Sequence, residues 1–247
     1  MNTIQSTKVA LFGLGGVGSW CAEALVRSGI GHLMIVDSDR ICLTNVNRQL
    51  QATFQNIGCS KVDELALRLR AINPAVKLEC VEKFYDYQSR NEFPLEQYDY
   101  VIDAIDSLSA KVELILHASD AGAKLFSAMG AACRLDPALI KTGSIWGTQG
   151  CGLSRVVRKK LRKKNYKGDF ICVFSEETLE NKGSAGAYDS NESPEPKEGA
   201  ENSESNEAHE LSSSKKQVNG SLVHMTGIFG FTLAGLVIQD VVKVMAG

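Results

Sequence analysis

Gly13-Leu14-Gly15-Gly16-Val17-Gly18 stands between two segments of opposite periodicity. Before it, Lys8-Val9-Ala10-Leu11-Phe12 is a short apolar run of the kind that fills a buried parallel strand. After it, Val17 to Ser28 spaces its apolar residues as a helix packed on a sheet does. A strand, a glycine turn and a helix in this order restrict the chain to a small set of folds, because a parallel strand must be followed by a crossover. The same arrangement makes a cradle for phosphate. Gly13 permits the tight turn, Gly15 lets a ligand approach the backbone, and Gly18 lets helix and strand approach closely. The helix start adds free N–H groups and the positive end of its dipole. A second strand, His32 to Val36, runs into Asp37, whose carboxylate can accept ribose hydroxyls.

The alternation continues along the chain. Val62, Leu65, Leu69 and Ile72 share one face of a helix over Ser60 to Ile72, which Asn73-Pro74 ends. Strands are predicted at Lys77–Lys83, Tyr98–Ala104, Lys124–Ala128, Ile140–Trp146 and Phe170–Phe174, with helices at Leu108–Ala121 and Leu153–Lys164. The fold class is therefore α/β, a doubly wound, mostly parallel Rossmann-like sheet with a C-terminal extension. Residues 1–177 form the nucleotide-binding domain, with a basic helix near 153–167. Residues 178–220 form a disordered acidic crossover, and 221–247 a helix returning to the same domain.

The crossover is assigned from composition. It is rich in Ser, Glu, Asn, Gly and Pro and nearly free of large apolar residues, so burial cannot offset its ordering entropy. Eleven acids and two lysines between Glu176 and Glu210 also mask the charge of the rest, which carries 25 basic and 18 acidic residues under a chain total of −2. Arg155 to Lys167 holds eight basic residues and no acid. Such a run serves either as a phosphate-binding face for nucleic acid or as a solvated helix side, held in the second case by the acidic crossover. The apolar stretch Leu222 to Met245 is long enough to span a bilayer. His224, Gln239, Asp240 and Lys243 interrupt it, which favours a helix buried in the core and no membrane. The seven cysteines form no CxxC pair, which argues against a structural zinc and for reduced thiols in a cytoplasmic protein without a signal peptide.

Several polar residues gather where ligands bind such sheets, beyond the carboxyl ends of the strands. Arg48 either braces phosphate oxygens with its planar fork or pairs at the surface with Asp37 or Asp39. Lys61 is a point charge for a polyphosphate or a solvated lysine. Asp103 and Asp106, three apart at the end of the fourth strand, suit a magnesium ion held together with a triphosphate; the other reading makes Asp106 or Ser107 a helix cap.

GLGGVGS at 13–19, DSD at 37–39, NVNRQ at 45–49, Lys61 in GCSK and DAIDS at 103–107 together resemble the ubiquitin-activating-enzyme-like adenylyltransferases. The resemblance implies ATP and Mg²⁺. It implies that Asp37 takes the ribose, that Asn45, Arg48 and Lys61 take phosphates, and that Asp106 takes the metal. Gly13, Gly15, Gly16, Gly18 and Asp39 complete the implied nucleotide site, with Arg48, Lys61 and Asp106 as its catalytic set. DPALIK at 136–141, SRVVRKKLRKK at 154–164 and ICVFSEE at 171–177 look like the tRNA threonylcarbamoyladenosine dehydratase branch, and the paired CxxC sites typical of carrier-activating relatives are absent.

That branch adenylates the threonyl carboxylate of a modified adenosine beside the tRNA anticodon, and ring closure then expels AMP. The implied partners are tRNA, a second copy in a homodimer, and a sulfur-transfer or redox protein. The tRNA contacts are expected at Arg155, Arg158, Lys159, Lys160, Arg162, Lys163 and Lys164. Relatives also carry a longer N-terminal segment than the seven residues before this first strand, and some carry a cysteine late in the crossover, where none follows Cys172 here. Two other activities share parts of the pattern. An adenylyltransferase acting on the C-terminus of a ubiquitin-like sulfur carrier would use the same cradle. A nicotinamide-dependent oxidoreductase would use the glycines and Asp37 but leave Arg48, Lys61 and the 103–106 acids unexplained.

Overall fold

The computed structural model describes residues 2–178 and 220–246; the expected acidic crossover lies outside the described residues. Seven strands form one sheet: β1 Lys8–Phe12, β2 His32–Asp37, β3 Lys77–Glu82, β4 Tyr100–Asp103, β5 Lys124–Ala128, β6 Ile140–Ser144 and β7 Ile171–Ser175. Their spatial order is β3-β2-β1-β4-β5-β7-β6. All neighbours are parallel except β6, which runs antiparallel to β7. The order reverses between β1 and β4, which opens a crevice at their carboxyl ends.

The helices are α1 Asn2–Ser6, α2 Gly18–Arg27, α3 Lys61–Ile72, α4 Leu108–Asp120, α5 Gly152–Lys163 and α6 Val223–Ala246. Alternation along the strands divides the core in two. Val9 and Leu11 of β1 pack with Leu25 of α2, Leu65 of α3 and Phe229 and Leu233 of α6. Ala10 and Phe12 point the other way, into a second cluster with Ile115 of α4 and Val157 and Leu161 of α5. Continuous burial of β1 and β2 on both sides is what a central parallel strand requires.

α6 is the one described helix long and apolar enough to cross a membrane. Its Met225, Phe229, Leu233, Val237 and Val241 are buried in the core, the placement expected of a returning core helix. The short α1 was not expected. Its Ile4 packs on the core, and the helix ends where Thr7 N–H donates to Thr3 O at 3.0 Å. The strand expected over Ile140–Trp146 stops at Ser144, whose hydroxyl caps a 3₁₀ turn at Ile145–Gly147.

Candidate functional site

The cradle is built by close backbone contact. Gly13 has φ +88°, a left-handed conformation that a side chain would strain, and a Cβ there would lie 2.7 Å from the Ala104 carbonyl oxygen. A Cβ on Gly18 would overlap the Gly13 carbonyl oxygen, so the first turn of α2 sits directly on the loop. A Cβ on Gly15 would meet only Gln49 Nε2, at 3.9 Å, so the space beside this residue is open. Gly16 is packed between Thr226 at the start of α6 and the Arg48 side chain. No side chain caps α2, whose first N–H groups point at this loop.

Asp37 closes the loop from the end of β2. Its Oδ2 accepts from Leu14 N–H at 2.6 Å and its Oδ1 from Asp39 N–H at 2.8 Å. Burial raises its pKa above the ordinary value, against the opposing pull of Lys61 and of the two N–H donors. Lys61 is not a solvated lysine. It is 5% exposed, and its Nζ donates to Asp39 Oδ2 at 2.6 Å. The pairing arises because 39–41 and 58–61 run side by side, joined by Ile41 N–H to Cys59 O and Lys61 N–H to Asp39 O.

Arg48 does not pair with Asp37 or Asp39. Its Nη1 donates to Thr44 O at 2.6 Å and to Asn47 Oδ1 at 3.1 Å, and the guanidinium has no carboxylate partner among the described residues. Trp20 Nε1–H donates to the Arg48 carbonyl and anchors that loop on α2. Asn45 is buried, and its Oδ1 accepts from Cys42 N–H, so its amide shapes the 42–45 turn.

The two acids after β4 separate. Asp103 is fully buried: Oδ2 accepts from Lys111 Nζ at 2.7 Å and from Ser127 Oγ at 2.6 Å, and Oδ1 accepts from Ile105 N–H. Lys111, equally buried, also donates to Ala128 O. Asp103 therefore cannot share a metal with Asp106, contrary to the expectation from their spacing. Asp106 is exposed and takes no hydrogen bond or ion pair among the described residues. Ser107 occupies the N-cap position of α4, as one of the two cap readings had it, but makes no side-chain cap bond, and Asp106 lies one residue before the cap.

The donor set fits a magnesium nucleoside triphosphate. The open space at Gly15, a helix start without a side-chain cap, and the cations Arg48 and Lys61 suit phosphate, and the Asp37 carboxylate suits a ribose. Buried Gln49 Oε1 and Gln51 Oε1 have no partner among the described residues, although Gln51 Nε2 holds Leu14 O at 2.9 Å. No group of three His, Cys, Asp or Glu side chains suited to a metal occurs among the described residues. A lone Asp106 suits Mg²⁺, which dehydrates reluctantly and is commonly held by one or two carboxylates plus phosphates.

The sequence reading missed Lys111 and Gln51. Lys111 lies four and seven residues before Ile115 and Ala118 on the buried face of α4, and a lysine in that apolar stripe was the available signal. Among the cations of α5, Arg155, Lys159, Lys160, Arg162, Lys163 and Lys164 are exposed, and Arg162 lies 5.4 Å over the Trp146 ring. Arg158 differs. It turns inward to donate to Ile145 O, to Thr148 O at 2.9 Å and to Thr148 Oγ1, so its charge holds the 145–148 turn and does not face solvent as expected.

Known proteins match both the sequence and the fold. A Bacillus subtilis tRNA threonylcarbamoyladenosine dehydratase is 39% identical over 178 residues, 72% of this chain and 70% of the relative. The crystal structure of the Escherichia coli tRNA N6-threonylcarbamoyladenosine dehydratase in complex with AMP superposes with a TM-score of 0.81 at 29% identity, over 99% of this chain and 89% of that one. The same enzyme in complex with ATP gives 0.80 at 28%, with the same coverage. The family model matches residues 1–247, and the chain belongs to the ThiF family.

Proposed function

We propose that this protein is an ATP-dependent dehydratase that adenylates the threonyl carboxylate of N6-threonylcarbamoyladenosine in tRNA and permits cyclisation with release of pyrophosphate and AMP. One observation carries the reading. The glycine loop, Asp37 and Asp106 follow the carboxyl ends of β1, β2 and β4, and relatives with this fold are solved with ATP and with AMP, which supports the reading.

The chemistry sets the roles. A carboxylate oxygen attacking the α-phosphorus brings two anionic groups together, and the departing pyrophosphate carries further charge. Arg48 and Lys61 supply fixed positive charge to that phosphate, and the 13–18 loop supplies N–H donors. Lys61 is held by an Asp39 whose carboxylate is 66% exposed, so an arriving phosphate can share or replace that partner. Asp37 positions the ribose, and Asn45 keeps the 42–48 loop in register. Mg²⁺, when bound with the nucleotide, supplies further charge neutralisation, and Asp106 is the residue that would hold it.

The acyl adenylate is then attacked by a group of the same modified nucleoside. Such a tethered nucleophile needs no enzyme thiol, since intramolecular attack reaches effective molarities of about 10⁵ M or more when well oriented. The exposed cations of α5 meet tRNA phosphates. The protein works as a homodimer in the cytoplasm in this reading.

Exchange of labelled pyrophosphate into ATP tests the assignment. Exchange that requires tRNA carrying the threonylcarbamoyl group is expected. Exchange driven by a ubiquitin-like carrier protein, with tRNA inert, would assign the site to carrier activation.

A further inference from the structure

A groove of about 520 Å³ opens between α4 and α5, beside the site already described. The last turn of α5 and its cap contribute Lys160, Lys163 and Lys164, and the loop after β3 contributes Tyr87. Tyr87 is 73% exposed, while Tyr85 and Tyr100 are buried and hydrogen-bonded. A single exposed aromatic is ordinary on a protein surface. What distinguishes this one is its company. The three lysines take no ion pair among the described residues.

The two acids of the groove are already engaged. Glu113 receives Arg90 Nη1 at 2.6 Å, and Asp86 Oδ1 receives Ser89 N–H at 2.8 Å. Asp86 keeps its negative charge, which an N–H bond does not neutralise, but the three lysines outnumber it and leave the groove net positive. An aromatic face beside cations that form no ion pair among the described residues matches a nucleotide, whose base has a π-face and whose backbone is anionic.

Position links the groove to the reaction. Ser109 of α4 lines it, three residues after Asp106, so at most about 11 Å of extended chain separates the two. Bases in RNA loops can be splayed out and stacked on aromatic side chains. We propose that this groove receives a nucleotide flanking the reacting adenosine, with Tyr87 stacked on its base and Lys160, Lys163 and Lys164 on neighbouring phosphates. The assignment rests on the tRNA reading above and adds to it the residue that grips a base.

Binding of unmodified and threonylcarbamoylated tRNA, measured across salt concentrations, tests it. Tyr87→Ala should weaken affinity by about fivefold to 150-fold, the range for losing one base–aromatic stack, without changing the salt slope or the melting temperature. Tyr87→Phe keeps the ring and should bind as the parent does. The triple change Lys160→Ala, Lys163→Ala, Lys164→Ala should flatten the salt slope by about 2, at roughly 0.7 per single-stranded contact.

Unaltered affinity in Tyr87→Ala would overturn the proposal. Equal weakening by Phe and Ala would overturn it too, since the hydroxyl and not the ring would then be the contact. A triple variant with lowered melting temperature and the parent's slope would make the lysines stabilisers of the α5 C-terminus. If the parent itself binds no tRNA, the tRNA reading fails as well, an outcome none of the variants can imitate.

Discussion

Two lysine–carboxylate pairs sit at the carboxyl edge of the sheet, and their exposure separates a pair open to solvent from a sealed one. Asp39–Lys61 follows β2 and Asp103–Lys111 follows β4, with N···O separations of 2.6 and 2.7 Å. In the first pair the lysine is 6% exposed and the carboxylate 66%; in the second both are at 0%. Water or a ligand can therefore take over the Asp39 end without breaking the fold. The Asp103–Lys111 pair has no such freedom, and its remaining valences are used by Ser127 Oγ, Ile105 N–H and Ala128 O. It ties β4, β5 and α4 together under the loop that carries Asp106. Near-equal distances thus accompany opposite surroundings, and solvent access decides which carboxylate is free to change partners.

The largest effect of breaking this contrast is expected on the sealed side. Lys111→Met leaves Asp103 as an uncompensated buried carboxylate and should cost about 3–5 kcal/mol of stability, read by urea denaturation. A loss below about 1 kcal/mol would place the pair among ordinary surface bridges and remove the distinction. On the open side, Lys61→Gln should cost little stability, because Asp39 remains solvated. Its adenylation rate should fall about 10²- to 10³-fold, the scale for losing one group that stabilises transition-state charge. Asp106→Ala belongs with it: turnover should drop at an unchanged melting temperature, and retained turnover would take Asp106 out of the mechanism.

A subtler contrast concerns Asp37. The fold raises its pKa, so the native state holds that proton more tightly than the unfolded chain does. Ionising Asp37 therefore lowers native stability, starting near the unfolded value of about 3.9 and complete above the folded value. Asp37→Asn should gain on the parent as pH rises through that window, measured by urea denaturation at a series of pH values. A difference independent of pH, or one of opposite slope, would contradict the burial assigned to Asp37.

The smallest change is expected at the thiols. Burial pushes the thiols of Cys21 and Cys172 far above the usual range, so neither supplies a thiolate nucleophile. Replacing Cys42, Cys59, Cys80 and Cys133 together by Ala should leave cyclic product and AMP release within about tenfold of the parent. A thioester trapped on any one of them would refute direct cyclisation.

The contrast between the pairs also marks the limit of sequence reading. Periodicity located the strands and most helices, and the glycine loop and the strand ending at Asp37 fold as their sequence suggests, because those features are local. α1 escaped, since five residues carry no helical period, and the place of β7 between β5 and β6 is a pairing that chain order does not encode. Asp103 and Asp106 read as one site because they are three apart. What divides them is Lys111, eight residues after Asp103 along the chain and in contact only through the packing of α4 on the sheet. Arg158 was misplaced for the same reason. A basic run looks uniformly solvated until the turn at 145–148 folds back beneath it.

Oxygen labelling tests the central chemistry most directly. Threonylcarbamoylated tRNA is prepared with ¹⁸O in the threonyl carboxylate, turned over with ATP, and the AMP analysed by mass spectrometry. Attack of that carboxylate on the α-phosphorus, followed by cyclisation through the acyl carbon, must leave one labelled oxygen on the phosphate of AMP. AMP without label, or label in inorganic phosphate, would contradict adenylation at this site.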